Sequence, residues 1–310
     1  MANPSGEVFI LKTTNRATGI RELLKKFNLD DYSHKHVALK ANYNSADPFP
    51  ASTHIDTLRV IVEALKAAGA SGITMAERSG MGDTKQVLEE MGVFGLSKEL
   101  GFKVTVLDDL GKEDWVKVEQ EGTHWLRGFY VAKVFRDADK IVQTCCLKTH
   151  RFGGHFTLSL KNSVGLVAKR LPGGMYDYMW ELHSSPYQRG MIAEINSYYN
   201  VDFVLMDGIK AFVTGGPDTG TVVWPKLLLA SHDRVAIDAV GVAVLKLYGA
   251  RGKVGESDVF EQDQLKRAAE LGFGVKSASE IKLTPLDDES RAEAERIEQV
   301  LNAQVLTHHA

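Results

Sequence analysis

The sequence contains only two cysteines in 310 residues, and they are the neighbours Cys145 and Cys146. A disulfide between adjacent cysteines closes a very small strained ring, so the chain is not expected to be a disulfide-stabilised scaffold. Such cysteine usage fits a reducing compartment. If the surrounding IVQTCCL is a strand, the two thiols point to opposite faces. We therefore expect small buried side chains rather than metal ligands or a redox pair.

The sequence also lacks a long apolar run and a strong net charge. No uninterrupted apolar segment approaches the roughly 20 residues of a membrane-spanning helix. Residues 1–6 are polar and have no apolar core of a secretion signal behind them. The formal net charge of -3 provides no positive field that would attract nucleic acid or an anionic membrane. We therefore expect a cytoplasmic protein that binds neither, with a frayed tail over residues 306–310.

Three common functional signatures are missing as well. The segment SGMGDTK (79–85) resembles a phosphate-cradling loop, because it joins a predicted strand to a helix start. It has neither the G-x-x-x-x-G-K-[ST] spacing nor the G-x-G-x-x-G spacing, so it is also consistent with a plain turn and helix cap. No G-x-S-x-G occurs, and an α/β-hydrolase is therefore unsupported.

What the chain does contain is an alternation of short apolar runs and amphipathic segments. The strand-like runs are 7–11, 35–41, 72–77, 102–108, 139–147, 202–209 and 221–231. Helical spacing is found at 16–27, 53–69 with Thr53 as the cap, from about 83, and at 128–138, 232–249, 258–272 and 288–304. This order predicts an α/β fold with a mostly parallel sheet flanked by helices, in a Rossmann-like layering.

We expect residues 1–310 to form a single α/β unit. One stretch, Glu113 to Trp125, interrupts the alternation. It is open to three interpretations: an excursion, a small antiparallel piece, or a boundary between two lobes near 108–125.

Polar or glycine-rich residues follow five of the predicted strands. They are Lys40 and Asn42, Glu77 to Gly82, Lys148 to His150, Asp207 to Ile209, and Ser231 to Asp233. In open α/β sheets, ligands bind outside the carboxyl ends of the strands. We therefore expect one cavity surrounded by side chains from different strand ends, namely Lys40, Thr53, His150, Lys161 and Asp207. The alternative is that strand ends are polar only because they lie near solvent.

The segment from Thr144 to Gly165, TCCLKTHRFGGHFTLSLKNSVG, has the highest density of such groups. Lys148 and Lys161, like Lys40, are flanked by apolar residues, and a buried lysine needs a negative partner or a route to water. Neutral hydrogen-bonding groups occur nearby in the sequence at Asn42, Thr53, Thr149 and Asn162. We interpret the set as a pocket for a carboxylate or phosphate. The alternative is that the lysines reach solvent along the surface.

Histidines offer a second interpretation. His54, His150 and His155 together provide three nitrogen ligands for a metal ion. They show no helical H-x-x-x-H spacing, and single histidines are more often surface or hydrogen-bonded residues. The metal site therefore stays an alternative to the anion pocket.

The ordered motifs resemble those of the family called domain of unknown function 362. They are Lys40-x-Asn42, Thr53-His54, LKTH (147–150), TLSLKN (157–162), MDGI (206–209), the GGP loop (215–217), and LLLAS-x-D (227–233) with Asp238. The resemblance implies a fold and a site rather than a reaction. The family pattern has Pro-Lys where Cys145 and Cys146 stand, which argues against a thiol mechanism. Some relatives carry ferredoxin-like cysteine clusters, but two cysteines cannot hold a four-cysteine iron–sulfur cluster.

These observations lead to a predicted function. We expect an enzyme that binds a small anionic molecule in a Lys/His/Asn/Asp cleft at the strand ends. His150 is the predicted general acid or base, because an unperturbed histidine titrates near neutrality. The other predicted catalytic residues are Lys148, Lys161 and Asp207, and the predicted substrate-binding residues are Lys40, Asn42, Thr53, His54, Thr149, His155 and Asn162.

Two other classes stay open. One is a metal-dependent enzyme using His54, His150 and His155, and the other is a non-catalytic binding or redox-partner module. The sequence names no cofactor and does not decide whether the chain forms a homo-oligomer.

Overall fold

The apolar runs of the sequence form the strands of one large sheet. The computed structural model describes residues 6–119 and 121–303. The strands are β1 (Gly6–Lys12), β2 (His36–Lys40), β3 (Gly72–Glu77), β4 (Lys103–Val106), β5 (Trp115–Val118), β6 (Phe129–Ala132), β7 (Lys140–His150), β8 (His155–Thr157), β9 (Phe203–Gly215), β10 (Gly220–Val223), β11 (Leu227–Ser231) and β12 (Ile281–Pro285). In these described ranges, a ten-stranded sheet has the core order β12-β1-β11-β9-β7-β2-β3-β4, with β10 beside β9 and β8 beside β7, and a separate two-stranded sheet pairs β5 with β6.

Twelve α-helices join these strands in the described ranges. They are α1 (Arg16–Leu24), α2 (Ile55–Ala67), α3 (Thr84–Glu90), α4 (Val93–Leu100), α5 (Lys133–Arg136), α6 (Ser159–Asn162), α7 (Tyr178–Ser184), α8 (Gln188–Asn196), α9 (Arg234–Leu247), α10 (Gly252–Glu256), α11 (Asp263–Leu271) and α12 (Asp288–Asn302). Short 3₁₀ turns occupy Leu29–Tyr32, Leu107–Asp109, Lys112–Asp114, Ser163–Leu166, Val259–Glu261 and Ala278–Glu280. In the part of the chain that the structure describes, no helix is both long and apolar enough to cross a membrane.

The centre of the sheet is parallel, and its edges are mixed. β4, β3, β2, β7 and β9 run parallel to one another, as do β1 and β12. β11 is antiparallel to both β1 and β9. The predicted α/β fold with a mostly parallel, helix-flanked sheet is therefore confirmed.

Both faces of the sheet are apolar, which explains the continuous hydrophobic runs of the strands. Along β9, Leu205 packs in a cluster with residues of α1 and α2, whereas Met206 packs in a cluster with residues of α9, α11 and α12. A third cluster, which contains residues of β6, α7 and α8, covers Ala38 of β2, while Leu39 faces the α1 and α2 side. Alternate residues along a strand thus pack against helical layers on opposite faces of the sheet.

Three sequence predictions need correction or refinement. Residues 128–138 are not one helix, because β6 occupies Phe129–Ala132 and only Lys133–Arg136 are helical. The cap of α2 is His54 rather than Thr53, since the His54 Nδ1 accepts a hydrogen bond from the Asp56 N–H at 3.2 Å. The interruption at 113–125 contains β5, which pairs antiparallel with β6, so the small antiparallel piece is confirmed. The expected frayed tail at 306–310 lies outside the described residues.

Both cysteines are buried, each about 1% exposed. Cys145 belongs to the apolar cluster that contains Met206, whereas Cys146 lies beside the Thr53 hydroxyl. Burial raises the pKa of the Cys145 thiol well above its usual value and that of Cys146 to about 11. Both side chains are therefore neutral thiols at physiological pH, and neither has the low pKa of a nucleophilic cysteine.

We predict that Cys145→Ala and Cys146→Ser change stability more than ligand binding. Each substitution disturbs a filled, buried position on β7, so we expect a loss of about 1 kcal/mol in the free energy of unfolding. Urea unfolding measures the loss, and the anion-induced stabilisation described below serves as the binding readout. A folded variant without that stabilisation would contradict the prediction.

Candidate functional site

A cavity of about 390 Å³ lies at the carboxyl ends of three neighbouring parallel strands, β2, β3 and β7. Its walls are completed by the segment from β8 to the turn after α6, by α7, and by the loop after β9. The lining residues are Lys40, Asn42, Tyr43, Asn44, Glu77, Arg78, Gly80, Met81, His150, Phe152, Thr157, Lys161, Asn162, Val164, Gly165, Lys169, Met179, His183 and Pro217. The position agrees with the general rule for ligand sites in open α/β sheets.

A buried ion pair forms the floor of this cavity. The Lys40 Nζ donates to the Glu77 Oε1 at 2.5 Å, and the two residues are 2% and 1% exposed. The same carboxylate accepts backbone N–H bonds from Tyr43 at 3.2 Å and from Arg78 at 3.0 Å. Burial lowers the pKa of Lys40 and raises that of Glu77, while the opposite charge of each partner opposes the shift. The pair satisfies both charges where water is excluded.

Two asparagines connect this pair to a second buried lysine. The Asn162 Oδ1 accepts from the Lys40 Nζ at 3.2 Å and from the Asn42 Nδ2 at 3.4 Å. The Asn42 Oδ1 in turn accepts from the Lys148 Nζ at 3.0 Å. Lys148 is fully buried and also donates to the Ala51 carbonyl oxygen, but it does not line the cavity. Its predicted direct contact with substrate is therefore not supported, and it acts on the cavity through Asn42.

Lys161 differs from the other two lysines. It lines the cavity, and its side-chain amine makes no hydrogen bond or ion pair in the described ranges. Burial lowers the pKa of its amine to about 8, and the charges of Lys148 and Arg78 add to this shift. An ammonium that has no partner in the described ranges is costly to desolvate, and a negatively charged group beside it would offset that cost.

His150 lies next to Lys161 but does not have the pKa that its predicted role assumed. Burial and then the nearby Lys161 charge lower the pKa of His150 far below its usual value. The imidazole is therefore neutral, and its buried Nδ1 has no hydrogen-bond partner among the described residues. The expectation of a residue titrating near neutrality therefore has to be corrected. His150 is instead a neutral donor or acceptor that faces the ligand space.

Two further cavity residues were not recognised from the sequence. Arg78 is 4% exposed, and its guanidinium donates only to neutral acceptors, which include the Val167 oxygen at 2.9 Å and the Val164 oxygen at 2.8 Å. The His183 Nδ1 donates to the Met179 carbonyl oxygen at 2.6 Å, so the Nε2 of the neutral ring is an acceptor. Burial lowers the pKa of His183. Arg78 belongs to the polar segment Glu77 to Gly82 after a predicted strand but was not assigned a role, whereas His183 carries no comparable signal.

Glycines bring the backbone close to two lysines of the cavity, Lys161 and Lys40. A Cβ on Gly154 would lie 2.7 Å from the Lys161 Cε and 3.0 Å from the His150 Nδ1. A Cβ on Gly165 would lie 2.8 Å from the Lys40 Cε and 2.9 Å from the Glu77 Oε1. Larger residues would displace these groups, so the two glycines set the shape of the cavity.

The cavity has an excess of positive charge. Its lining includes four cationic side chains, those of Lys40, Arg78, Lys161 and Lys169, and one carboxylate, that of Glu77. Three buried polar atoms of its lining, the Tyr43 Oη, the His150 Nδ1 and the Thr157 Oγ1, have no hydrogen-bond partner in the described ranges. Buried polar atoms are nearly always paired in folded proteins, so these are available to a ligand or to water.

The structure brings five predicted site residues together around the cavity, namely Lys40, Asn42, His150, Lys161 and Asn162. Asp207 and Thr53 do not line it, contrary to our expectation. The Asp207 carboxylate faces the opposite layer, where it accepts from the Arg16 Nε at 2.6 Å and from the Thr57 hydroxyl at 2.8 Å. The Thr53 hydroxyl accepts the Asn42 backbone N–H at 2.9 Å, so Thr53 supports a lining residue from behind.

The remaining predicted binding residues also lie outside the cavity lining. His54 caps α2, and Thr149 donates to carbonyl oxygens of Phe212 at 3.2 Å and Gly215 at 3.3 Å. His155 opens β8 opposite His150 in the register of the two strands. No group of three or more His, Cys, Asp or Glu within residues 6–119 and 121–303 could hold a metal ion. This geometry gives no support to the three-histidine metal hypothesis.

We predict that Glu77→Gln destabilises the protein by about 3–5 kcal/mol, because it leaves the Lys40 charge buried without a counterion. Urea unfolding measures the change. The double variant Lys40→Met/Glu77→Gln should recover at least half of the loss, since it removes the unpaired charge. Glu99→Gln breaks the exposed ion pair with Arg59 and serves as a control with little expected effect. Equal losses in the single and double variants would show that charge pairing is not the cause.

No curated protein matches the sequence. Among solved structures, the lactate racemase apoprotein from Thermoanaerobacterium thermosaccharolyticum is similar, with a TM-score of 0.47 and 14% sequence identity over 75% of this chain and 55% of that chain. The chain thus spans little more than half the length of that racemase.

A family model described as domain of unknown function (DUF362) matches residues 37–243. The matched range includes the ends of β2, β3 and β7, and therefore every strand end that lines the cavity. Because the match covers well over half of the chain, the protein belongs to the DUF362 family, as its ordered motifs predicted.

Proposed function

We propose that this protein is an enzyme whose cavity binds a small anionic substrate. The observation that carries the proposal is the Lys161 amine, which lies in the cavity lining without any partner in the described part of the chain. An unpaired ammonium in a partly desolvated site costs free energy that a bound anion would offset. A carboxylate or a phosphate has the required charge and hydrogen-bond acceptors.

The surrounding groups favour an anion over a neutral or cationic ligand. Among the described residues, the only carboxylate in the cavity lining is that of Glu77, which is already bound to Lys40 and to two backbone N–H groups. Arg78 has no carboxylate partner within residues 6–119 and 121–303, so its charge adds to the positive potential around Lys161. A cation entering this space would find no free negative group among the described residues.

Neutral imidazoles give the site a means of moving protons. His150 presents an unpartnered Nδ1, and His183 has its Nδ1 committed to the Met179 carbonyl oxygen. A bound anion would raise the pKa of both rings by offsetting the nearby lysine charges. The two histidines are therefore the proposed general acid–base groups, while Lys161 and Arg78 hold the substrate.

We predict that sulfate, phosphate or a small carboxylate raises the melting temperature at constant ionic strength. A ligand that binds only the folded state adds about 2.7 kcal/mol of stability at a hundredfold excess over its Kd. Lys161→Met should reduce the response strongly, because it removes the unpaired charge. The matched control Lys98→Met changes an exposed lysine on α4 and should respond like the unchanged protein.

The outcome that contradicts anion binding is a broad screen without any shift beyond that of matched chloride. Screening by sodium chloride should weaken a genuine response. Turnover of any anionic substrate distinguishes an enzyme from a non-catalytic binding module, because both bind the anion but only the enzyme converts it.

Sulfate binding should also depend on pH. With a Lys161 pKa of about 8, the charged fraction of the free protein falls from about nine tenths at pH 7 to about one tenth at pH 9. Affinity should therefore decrease as the pH rises through about 8, by at most about tenfold per pH unit. Sulfate keeps its charge over this pH range. Isothermal titration calorimetry measures the affinity, and the fits include the nearby groups His150, His183, Lys148 and Arg78. Lys161→Arg should move the loss of affinity to higher pH, and an unchanged profile in that variant would contradict the assignment.

A further inference from the structure

The three lysines Lys40, Lys148 and Lys161 are held in different ways. The Lys40 amine is bound by Glu77, by Asn162 and by the Ala41 carbonyl oxygen at 2.6 Å. The Lys148 amine is bound by Asn42 and by the Ala51 carbonyl oxygen. Two of the three amines are thus used in hydrogen bonds that fix the fold, whereas Lys161 keeps its nitrogen free for a ligand.

We infer that Lys161 is a nucleophile, which forms an imine with the carbonyl carbon of a small anionic substrate. This inference rests on the proposed function, since the anionic group brings the substrate into the cavity. The substrate class is a carbonyl compound with a carboxylate or phosphate near the carbonyl group, of which 2-oxo acids are the simplest members. A cavity of about 390 Å³ has room for such molecules.

The position of Lys161 fits this role. Its Cε and the His150 Nδ1 approach the same point beside Gly154, at 2.7 and 3.0 Å from where a Cβ would lie. The nucleophile and a group that exchanges protons are therefore neighbours, and the absence of a side chain at Gly154 leaves the space that they share. His183 is close enough that the Lys161 charge contributes to the lowering of its pKa.

Nucleophilic attack needs a neutral amine, and the surroundings of Lys161 provide it. With a pKa of about 8 rather than 10.5, the neutral fraction at pH 7 is roughly two orders of magnitude larger than that of a surface lysine. The causes are burial and the like charges of Lys148 and Arg78, which are the means by which catalytic lysines are activated.

The step balances without an oxidant or a reductant. The neutral Lys161 nitrogen forms a bond to the carbonyl carbon, the carbon–oxygen π bond breaks, and the oxygen takes up a proton. The resulting carbinolamine loses its hydroxyl as water while the nitrogen gives up a proton, and a protonated imine remains. His150 and His183 lie where they can deliver and accept these protons.

The test is reductive trapping. The purified protein is incubated with pyruvate, 2-oxoglutarate or dihydroxyacetone phosphate, treated with sodium borohydride, and analysed by intact mass and peptide mapping. We expect one adduct per chain, at Lys161, with labelling roughly a hundredfold above that of the exposed Lys98. Acetone supplies a carbonyl without an anionic group and should label poorly. Propionate supplies the anionic group alone and should compete.

Variants separate this inference from the proposed function. Lys161→Arg keeps the positive charge, so the melting-temperature response to sulfate should persist while trapping is lost. Lys161→Met should lose both, and Lys98→Met should lose neither. Sulfate stabilisation without a Lys161 adduct, for every carbonyl compound in the panel, overturns the imine and leaves anion binding intact. Adducts that persist in Lys161→Arg overturn the imine as well. If the unsubstituted protein does not bind sulfate, the proposed function itself is overturned.

Discussion

Lys40 and Glu77 stand at the carboxyl ends of neighbouring parallel strands, and their buried ion pair is the interaction around which the cavity is arranged. The Glu77 carboxylate also binds the backbone N–H groups of Tyr43 and Arg78, which begin the loops after β2 and β3. One carboxylate therefore fixes both loops and neutralises one lysine. Its single negative charge is matched by that of Lys40, so it does not neutralise the other cations of the site.

As a result, two of the lysines are held by hydrogen bonds of the fold, and a third is not. Lys40 and Lys148 are bound by oxygen atoms of the fold, and their interactions continue through Asn162 and Asn42. Lys161 is located just beyond this network and makes none of these bonds. Burial lowers the pKa of the Lys161 amine most, and the charges of Lys148 and Arg78, which lie close enough to repel it, add to this shift. The polar network thus tunes Lys161 as well as holding the strand ends together.

Much of this architecture could be predicted from the sequence, because strand and helix periodicities are local properties. The rule for strand ends also identified Lys40, His150 and Lys161 as neighbours. It failed for Asp207, which shares the β9 face of Leu205 and Ile209 and therefore points towards α1 and α2. That error was avoidable from the two-residue period of a strand. The position of His183 was not predictable, since it depends on how α7 packs over the cavity.

The same reasoning explains why residue type alone misled the assignment of His150. Histidine titrates near neutrality in water, but burial beside the positive charge of Lys161 disfavours a second cation. The protonation state of His150 is therefore set by its burial and by the neighbouring charges, and not by the imidazole alone. An anion between Lys161 and His150 would reduce this repulsion and permit the ring to take up a proton. Anion binding and proton uptake by His150 would then be coupled, because each makes the other more favourable.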